Sequence, residues 1–342
     1  MVTSYDFITV GSAVRDITFY TPEGKVFKTP QNLTSQMMLG FEYGAKISIH
    51  DVNWTFGGGG TNVAVSLARL GFKVSSMVAV GKDSDGQAIV NNLKSENVRT
   101  NFIQQYKEAR TGFSFIVANS KKDNEHVAFT YRGANDEFSF APTKLRAKRT
   151  NWLYLTHLAD PEHKRNLQSI FETAKKRKMR VAWNPGKTQL ALGKNLLTKY
   201  LRLTDILVLN KDEAIELVLA CMRFGKRTPT HLNRPLYLLH IITDLGPKTV
   251  VITEGRNGAF ASKGDKIYSV PSTRSKIADT TGAGDAFGAG FLAGYYLSKG
   301  DLQKSLEWGT INAGAILTEV GAQNGGIDRQ ELEARQRKLF RK

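Results

Sequence analysis

Apolar positions along this chain fall into short unbroken runs separated by stretches of helical spacing. Residues 7–11 read as a buried strand, and 74–80, 152–156, 180–183, 206–209 and 249–253 repeat the pattern. Helical periodicity fills the gaps at 61–70, 85–97, 161–178, 188–200 and 211–220. Val63, Leu67 and Leu70 share one face of the first helix; Ile89, Val90 and Leu93 turn inward on the second. Two longer helical patterns, 283–298 and 302–319, follow. Strand and helix in alternation predict an α/β fold with a mostly parallel sheet covered on both faces.

Two regions break the alternation. Segments 18–56 and 101–132 contain period-two stretches, such as 113–118 and 126–131, that predict antiparallel strands of a small separate sheet. Residues 21–39 are polar and contain proline, which predicts an irregular insertion or a long hairpin. There is no internal repeat and no low-complexity tract.

Composition narrows the class. A chain of 342 residues that is 41% hydrophobic can bury a substantial core. No run approaches the ~20 apolar residues of a membrane span. The start of the chain lacks the basic and apolar regions of a signal peptide. One cysteine, Cys221, excludes an internal disulfide, so a cytoplasmic location is expected. The net charge of +17 gathers partly in basic clusters at 144–149 and 175–180. These read either as a nucleic-acid footprint or as solvated helix faces whose field attracts phosphorylated ligands. No nucleic-acid motif accompanies them, so no nucleic-acid partner is expected.

The richest chemistry lies in Asp279-Thr280-Thr281-Gly282-Ala283-Gly284-Asp285. Small residues precede an acid, and an apolar helix pattern follows. Small residues let a ligand approach the backbone, and the free N–H groups of a helix start attract anions. Asp285 on that first turn suits a general base, with the N–H groups of Gly282, Ala283 and Gly284 receiving charge during phosphoryl transfer. The plainer reading is a loop, an acid favoured by the helix dipole, and a helix. A second segment, Gly57-Gly58-Gly59-Gly60-Thr61-Asn62, opens the 61–70 helix. Four glycines are entropically costly, and a ligand lying against bare backbone gives one reason for them. Asn62 offers a donor and an acceptor to a polyol. The plain alternative is a flexible hairpin end.

Other nucleotide signatures are missing. Gly186-Lys187-Thr188 resembles the end of a P-loop, but the earlier glycine would fall at Val181. No dinucleotide fingerprint opens the first helix. The six histidines lack metal-ligand spacing.

Together the two glycine-rich segments resemble the N-terminal and C-terminal signatures of the ribokinase-like (PfkB) family of sugar and nucleoside kinases, in the family's order. The resemblance runs from Tyr5 to about Gly326. It implies a three-layer α/β/α core at 1–17, 57–100 and 133–342, with a β lid from 18–56 and 101–132. It implies an ATP-dependent kinase that uses Mg2+ and phosphorylates a hydroxyl of a sugar or nucleoside. Substrate would contact Asp16, Gly58, Gly59, Asn62 and Asn135. ATP would lie across Asn210, Thr253, Gly255, Gly258, Asn312 and Gly321. Glu213 would act on magnesium through water, while Asp279 and Thr281 would help hold a potassium-like ion. An exposed β lid implies a homodimer.

The chain also departs from the ribose-specific pattern. Gly59 stands where a lysine is usual, and His157-Leu158-Ala159 replaces a sugar-contacting glutamate. A nucleoside, fructose, a deoxy-keto acid or a sugar phosphate all remain open as substrate. A non-catalytic ligand- or nucleic-acid-binding relative is the alternative of another class.

Overall fold

The computed structural model describes residues 3–28, 37–118, 126–145, 148–158, 160–224 and 230–340. Its centre is an eight-stranded sheet. The order across it is Lys266–Val270, Ala259–Lys263, Val250–Thr253, Ile206–Asn210, Arg180–Trp183, Lys148–Leu155, Thr3–Val10, Val74–Met77. The six strands from Val250–Thr253 to Val74–Met77 run parallel; Ala259–Lys263 returns antiparallel, and Lys266–Val270 pairs antiparallel with it.

Side-chain alternation makes this sheet the middle of three layers. Phe7, Trp152, Tyr154, Ala182, Val208 and Val251 enter one core, with helices Gly59–Arg69, Ala283–Leu297 and Leu302–Ile316. Their neighbours Ile8, Leu153, Leu155, Val181, Leu207 and Ile252 enter the other, with His163–Arg177, Lys211–Cys221 and Pro235–Asp244. Strands buried on both faces must read as continuous apolar runs, which is how they stood out in the sequence.

Several elements differ from expectation. The 188–200 pattern divides into Lys187–Leu190 and Lys194–Leu201, because Gly193 at φ 81° interrupts the helix. The 74–80 run splits, and its second half, Ala79–Gly81, pairs in parallel with Gln104–Tyr106. That pairing attaches the start of the 101–132 region to the core side. The edge hairpin, Pro235–Asp244 and Arg329–Phe340 had no expected counterpart. The basic 175–180 cluster ends His163–Arg177, where cations complement the helix dipole. Part of the 144–149 cluster, at 146–147, lies outside the described residues.

The smaller sheet has four strands: His126–Tyr131, Gly112–Ala118, Val14–Tyr20 and His50–Gly57. It starts at Val14 rather than at 18, and Val14–Tyr20 runs parallel to Gly112–Ala118. Its inner face is polar and buried, with Asp16, Thr18, Thr55 and Ser114. Its outer face carries a registered row: Phe129 opposite Phe115, Phe115 opposite Ile17, Ile17 opposite Trp54. Phe129 and Trp54 are each 58% exposed, the reverse of an ordinary one-sided sheet. In the 21–39 insertion, Lys25–Lys28 and Met37–Gly40 form an antiparallel pair; 29–36 lie outside the described residues.

Candidate active site

Thr3–Val10 has Val74–Met77 on one side and Lys148–Leu155 on the other, so the connections leave it in opposite directions. Such a switch point opens a crevice at the carboxyl ends of the strands. Gly11 and Ser12 follow one strand there, and Thr156 and His157 follow its neighbour.

The glycine segment closes over this crevice. Gly58 has φ 95°, a conformation side chains rarely adopt. A Cβ on Gly59 would stand 2.8 Å from the Thr156 hydroxyl, and one on Gly60 would stand 2.7 Å from Val78. These glycines therefore have a packing reason of their own: neighbouring protein atoms occupy the space of all four side chains. The first helical turn puts Asn62 opposite Asp285. Its Nδ2 donates to Asp285 Oδ2 at 2.9 Å, while its Oδ1 accepts from Gln323 Nε2 at 2.9 Å. The amide expected to meet substrate is engaged on both sides, holding the acid.

Asp285 sits on the first turn of Ala283–Leu297, beneath Gly282 at φ 77°. That helix lies close on its neighbours because it is built of small residues. The Tyr154 hydroxyl takes the place of a Gly288 side chain, and Gly290 meets the backbone of Trp308. Asp285 is partly exposed; loss of solvent pushes its carboxyl above the ordinary range, and the Asn62 hydrogen bond opposes this. Gly284 is exposed and has no neighbour where a Cβ would stand, so its bare backbone faces open space.

Asp279 staples this turn. Its Oδ1 accepts from the Thr281 N–H and hydroxyl, and its Oδ2 accepts from the Gly321 N–H at 2.9 Å. Asp279 and Thr281, the pair expected to help hold a monovalent cation, thus form a stapled turn. The N–H of Gly321, a residue expected beside the nucleotide, serves Asp279, and a Cβ there would meet Thr55 of the lid.

A cleft of about 410 Å³ extends from this turn. Thr253, Gly255 and Gly258 line it, together with Ala283, Gly284 and Phe287. Asn312 does not. It is 1% exposed, and its Nδ2 donates to Ser66 Oγ and the Ala286 carbonyl, joining three helices in the core. Asn210, exposed at the end of its strand, forms a reciprocal cap with Glu213: each backbone N–H donates to the other's side chain. Burial raises the Glu213 carboxyl to about 7, with Asp285 among the like charges that add to the effect.

A second cavity, about 220 Å³, lies between the sheet and the lid. Asn135 lines it, but its amide is clamped to the Ala13 backbone and the Arg132 carbonyl. Asp16 is 4% exposed on the lid's inner face. Burial first, then Asp279 and Asp285, raise its carboxyl to about 7 against a Ser114 hydrogen bond. Arg132 and His157 also line this cavity, together with Asp160, which sequence reasoning missed. Burial, with Arg132 nearby, lowers His157 to about 4, so it is a neutral imidazole. Asp160 is 1% exposed, and its Oδ2 has no hydrogen-bond partner among the described residues. Its position directly after the 157–159 stretch, where a sugar-contacting glutamate was expected, was the available signal. Among the described residues, no cluster of three or more His, Cys, Asp or Glu could hold a metal ion, and no helix is long and apolar enough to cross a membrane.

Comparison with known proteins bears on this arrangement. The model of the pfkB family of carbohydrate kinases matches residues 10–329. The ribokinase of Haemophilus influenzae is 29% identical over 279 residues, covering 81% of this chain and 85% of the relative. The ATP-dependent 6-phosphofructokinase of Thermoanaerobacterium thermosaccharolyticum is 26% identical over 294 residues, covering 83% and 86%. A Burkholderia thailandensis nucleoside kinase, solved in complex with inosine, superposes with a TM-score of 0.78 over 98% of both chains at 17% identity, a likeness of fold.

Proposed function

Because the chain belongs to the pfkB family of carbohydrate kinases, we propose that it moves the γ-phosphate of ATP onto a hydroxyl of a sugar or related polyol, with Asp285 as general base. The observation that carries this reading is the pairing of Asp285 with Asn62 across the crevice, beside the open backbone of Gly284. Substrate lies under the lid, contacted by Asp16 and the glycine segment, next to the cavity lined by Val14, the strand partner of Gly57, and by Asn135. The nucleotide occupies the larger cleft, with its phosphates toward the Ala283–Asp285 turn.

A hydroxyl is a weak nucleophile until its proton leaves. A positioned carboxylate contributes roughly 10²–10⁴-fold. Partly desolvated, Asp285 holds a proton more readily than a free carboxylate, while Asn62 keeps one oxygen aimed. N–H groups of the first turn have no intrahelical acceptor and receive charge as the phosphoryl group moves. The lid's polar inner face closes the site against water, which would compete as acceptor. Glu213, raised to about 7 among like charges, has the hard oxygen chemistry that suits Mg2+. A magnesium ion there would neutralise phosphate charge.

A nucleoside is the second reading of the acceptor, favoured by the fold shared with the inosine complex. A non-catalytic relative is disfavoured by the retention of Asp285, Asn210 and Glu213 together. Buried Cys221 suits a reducing cytoplasm. The outward apolar row on the lid supports a homodimer through that face.

An ADP-release screen with purified protein over pentoses, hexoses, their phosphates, deoxy-keto acids and nucleosides tests the activity. Substrate-dependent turnover that disappears in Asp285→Asn is expected. No turnover above the ATPase background with any of these acceptors would overturn the proposal.

A further inference from the structure

We infer that Gln323 is a positioning residue for the general base: it fixes the Asn62 amide, which in turn aims the Asp285 carboxylate. This rests on the reading of Asp285 as base. Asn62 can present either end of its amide to Asp285. The nitrogen attracts a carboxylate; the oxygen repels it. Gln323 Nε2 donates to Asn62 Oδ1 at 2.9 Å and so leaves Asn62 Nδ2 for Asp285. Gln323 is oriented in turn, because Asn92 Nδ2 donates to its Oε1 at 2.9 Å. Three successive amides therefore donate in one direction, ending on Asp285. Hydrogen bonds aligned in this way polarise one another. Gln323 is 5% and Asn62 6% exposed, so bulk water competes little for these bonds.

The loop bearing Gln323 is itself anchored. The Arg69 guanidinium donates to the Gln323 carbonyl and forms a paired bridge with Glu96, at 2.8 and 2.6 Å. Two residues earlier, the Gly321 N–H bonds Asp279, the staple of the N–H turn. One short loop thus holds both the base and the turn that receives charge, and sets their relative position. Displacement of either by even ~1 Å can cost about 10²-fold in rate.

The test is a double-mutant cycle on purified protein with its best acceptor. Gln323→Met keeps the side chain's length and loses both amide contacts. A positioning role predicts kcat lowered about tenfold or more, with both KM values within about threefold. The same change in Asp285→Asn is expected to cause little further loss, since both act through one carboxylate. Gln323→Glu, though closest in shape, is expected to be worse than Gln323→Met. An ionised glutamate accepts from the Asn62 nitrogen and turns its oxygen toward Asp285. If Gln323→Met does not fold, Asn92→Leu, nearer the surface, carries the same test with a smaller kcat loss. Three results would overturn the inference: an unchanged kcat, an equal loss in both backgrounds, or Gln323→Glu outperforming Gln323→Met. Wild-type turnover by Asp285→Asn alone would instead remove the base reading beneath it.

Discussion

The Asp16 carboxylate stands where a side chain on Gly57 would be: a Cβ there would lie 1.8 Å from Asp16 Oδ2. Val14–Tyr20 and His50–Gly57 are neighbours in the lid sheet, so the glycine lets the acid reach across its partner strand. Gly57→Ala is therefore expected to displace Asp16, raising the acceptor KM by an order of magnitude or more with a smaller change for ATP. Steady-state kinetics with each substrate varied in turn would check this, and an unchanged acceptor KM would contradict it.

Buried in place, Asp16 is a liability to the empty protein. Its carboxyl ordinarily titrates at 3.8 and is raised to about 7 in the fold. Between those values the unfolded chain ionises while the native protein keeps its proton. Stability contributed by this group is complete below pH ~4 and lost as pH rises through 7. Three units correspond to at most about 4 kcal/mol. Asp16→Asn should raise the Tm at pH 8, lose that advantage near pH 4, and bind acceptor poorly. Melting curves across pH would show it.

Gly284 separates stability from function. Its Cβ position meets nothing, and it lies in a helix, where alanine is favoured over glycine by about 1 kcal/mol. Gly284→Ala should hold or raise the Tm while the added methyl raises the ATP KM several-fold. Calorimetry beside nucleotide kinetics would test the pair; a lowered Tm with normal ATP affinity would refute it.

Asp285→Asn keeps the shape and a partner for Asn62, so folding should survive. Turnover should fall about 10²–10⁴-fold. Circular dichroism and ADP release on one sample measure both. Wild-type turnover in that variant would exclude Asp285 as base.

The apolar row on the lid's outer face predicts self-association. Trp54→Glu combined with Phe129→Glu places charge at both ends of the row and should convert a dimer to monomer by light scattering. A wild-type protein already monomeric at working concentration would disprove the dimer.

Much of the core was legible because each strand is buried on both faces: an apolar run such as Ile206–Asn210 announces itself whatever lies beside it. The edge hairpin was not, since Lys266–Val270 is largely exposed and its composition is mixed. The lid was legible as a departure from alternation. Its parallel pairing and its origin at Val14 depend on which strands meet.

By itself, then, the sequence determined the layered α/β core, the two glycine-rich turns and the acid that follows the second. These are properties of local periodicity and backbone freedom. Only the tertiary structure decided what each polar group near the crevice does. It made Asn62 and Asn312 internal braces, and brought Arg132, His157 and Asp160 to one cavity. A side chain's spacing along the chain reveals which face it takes, but its hydrogen-bond partner lies up to 261 positions away, as with Asn62 and Gln323. No local pattern encodes such a meeting; packing the layers creates it.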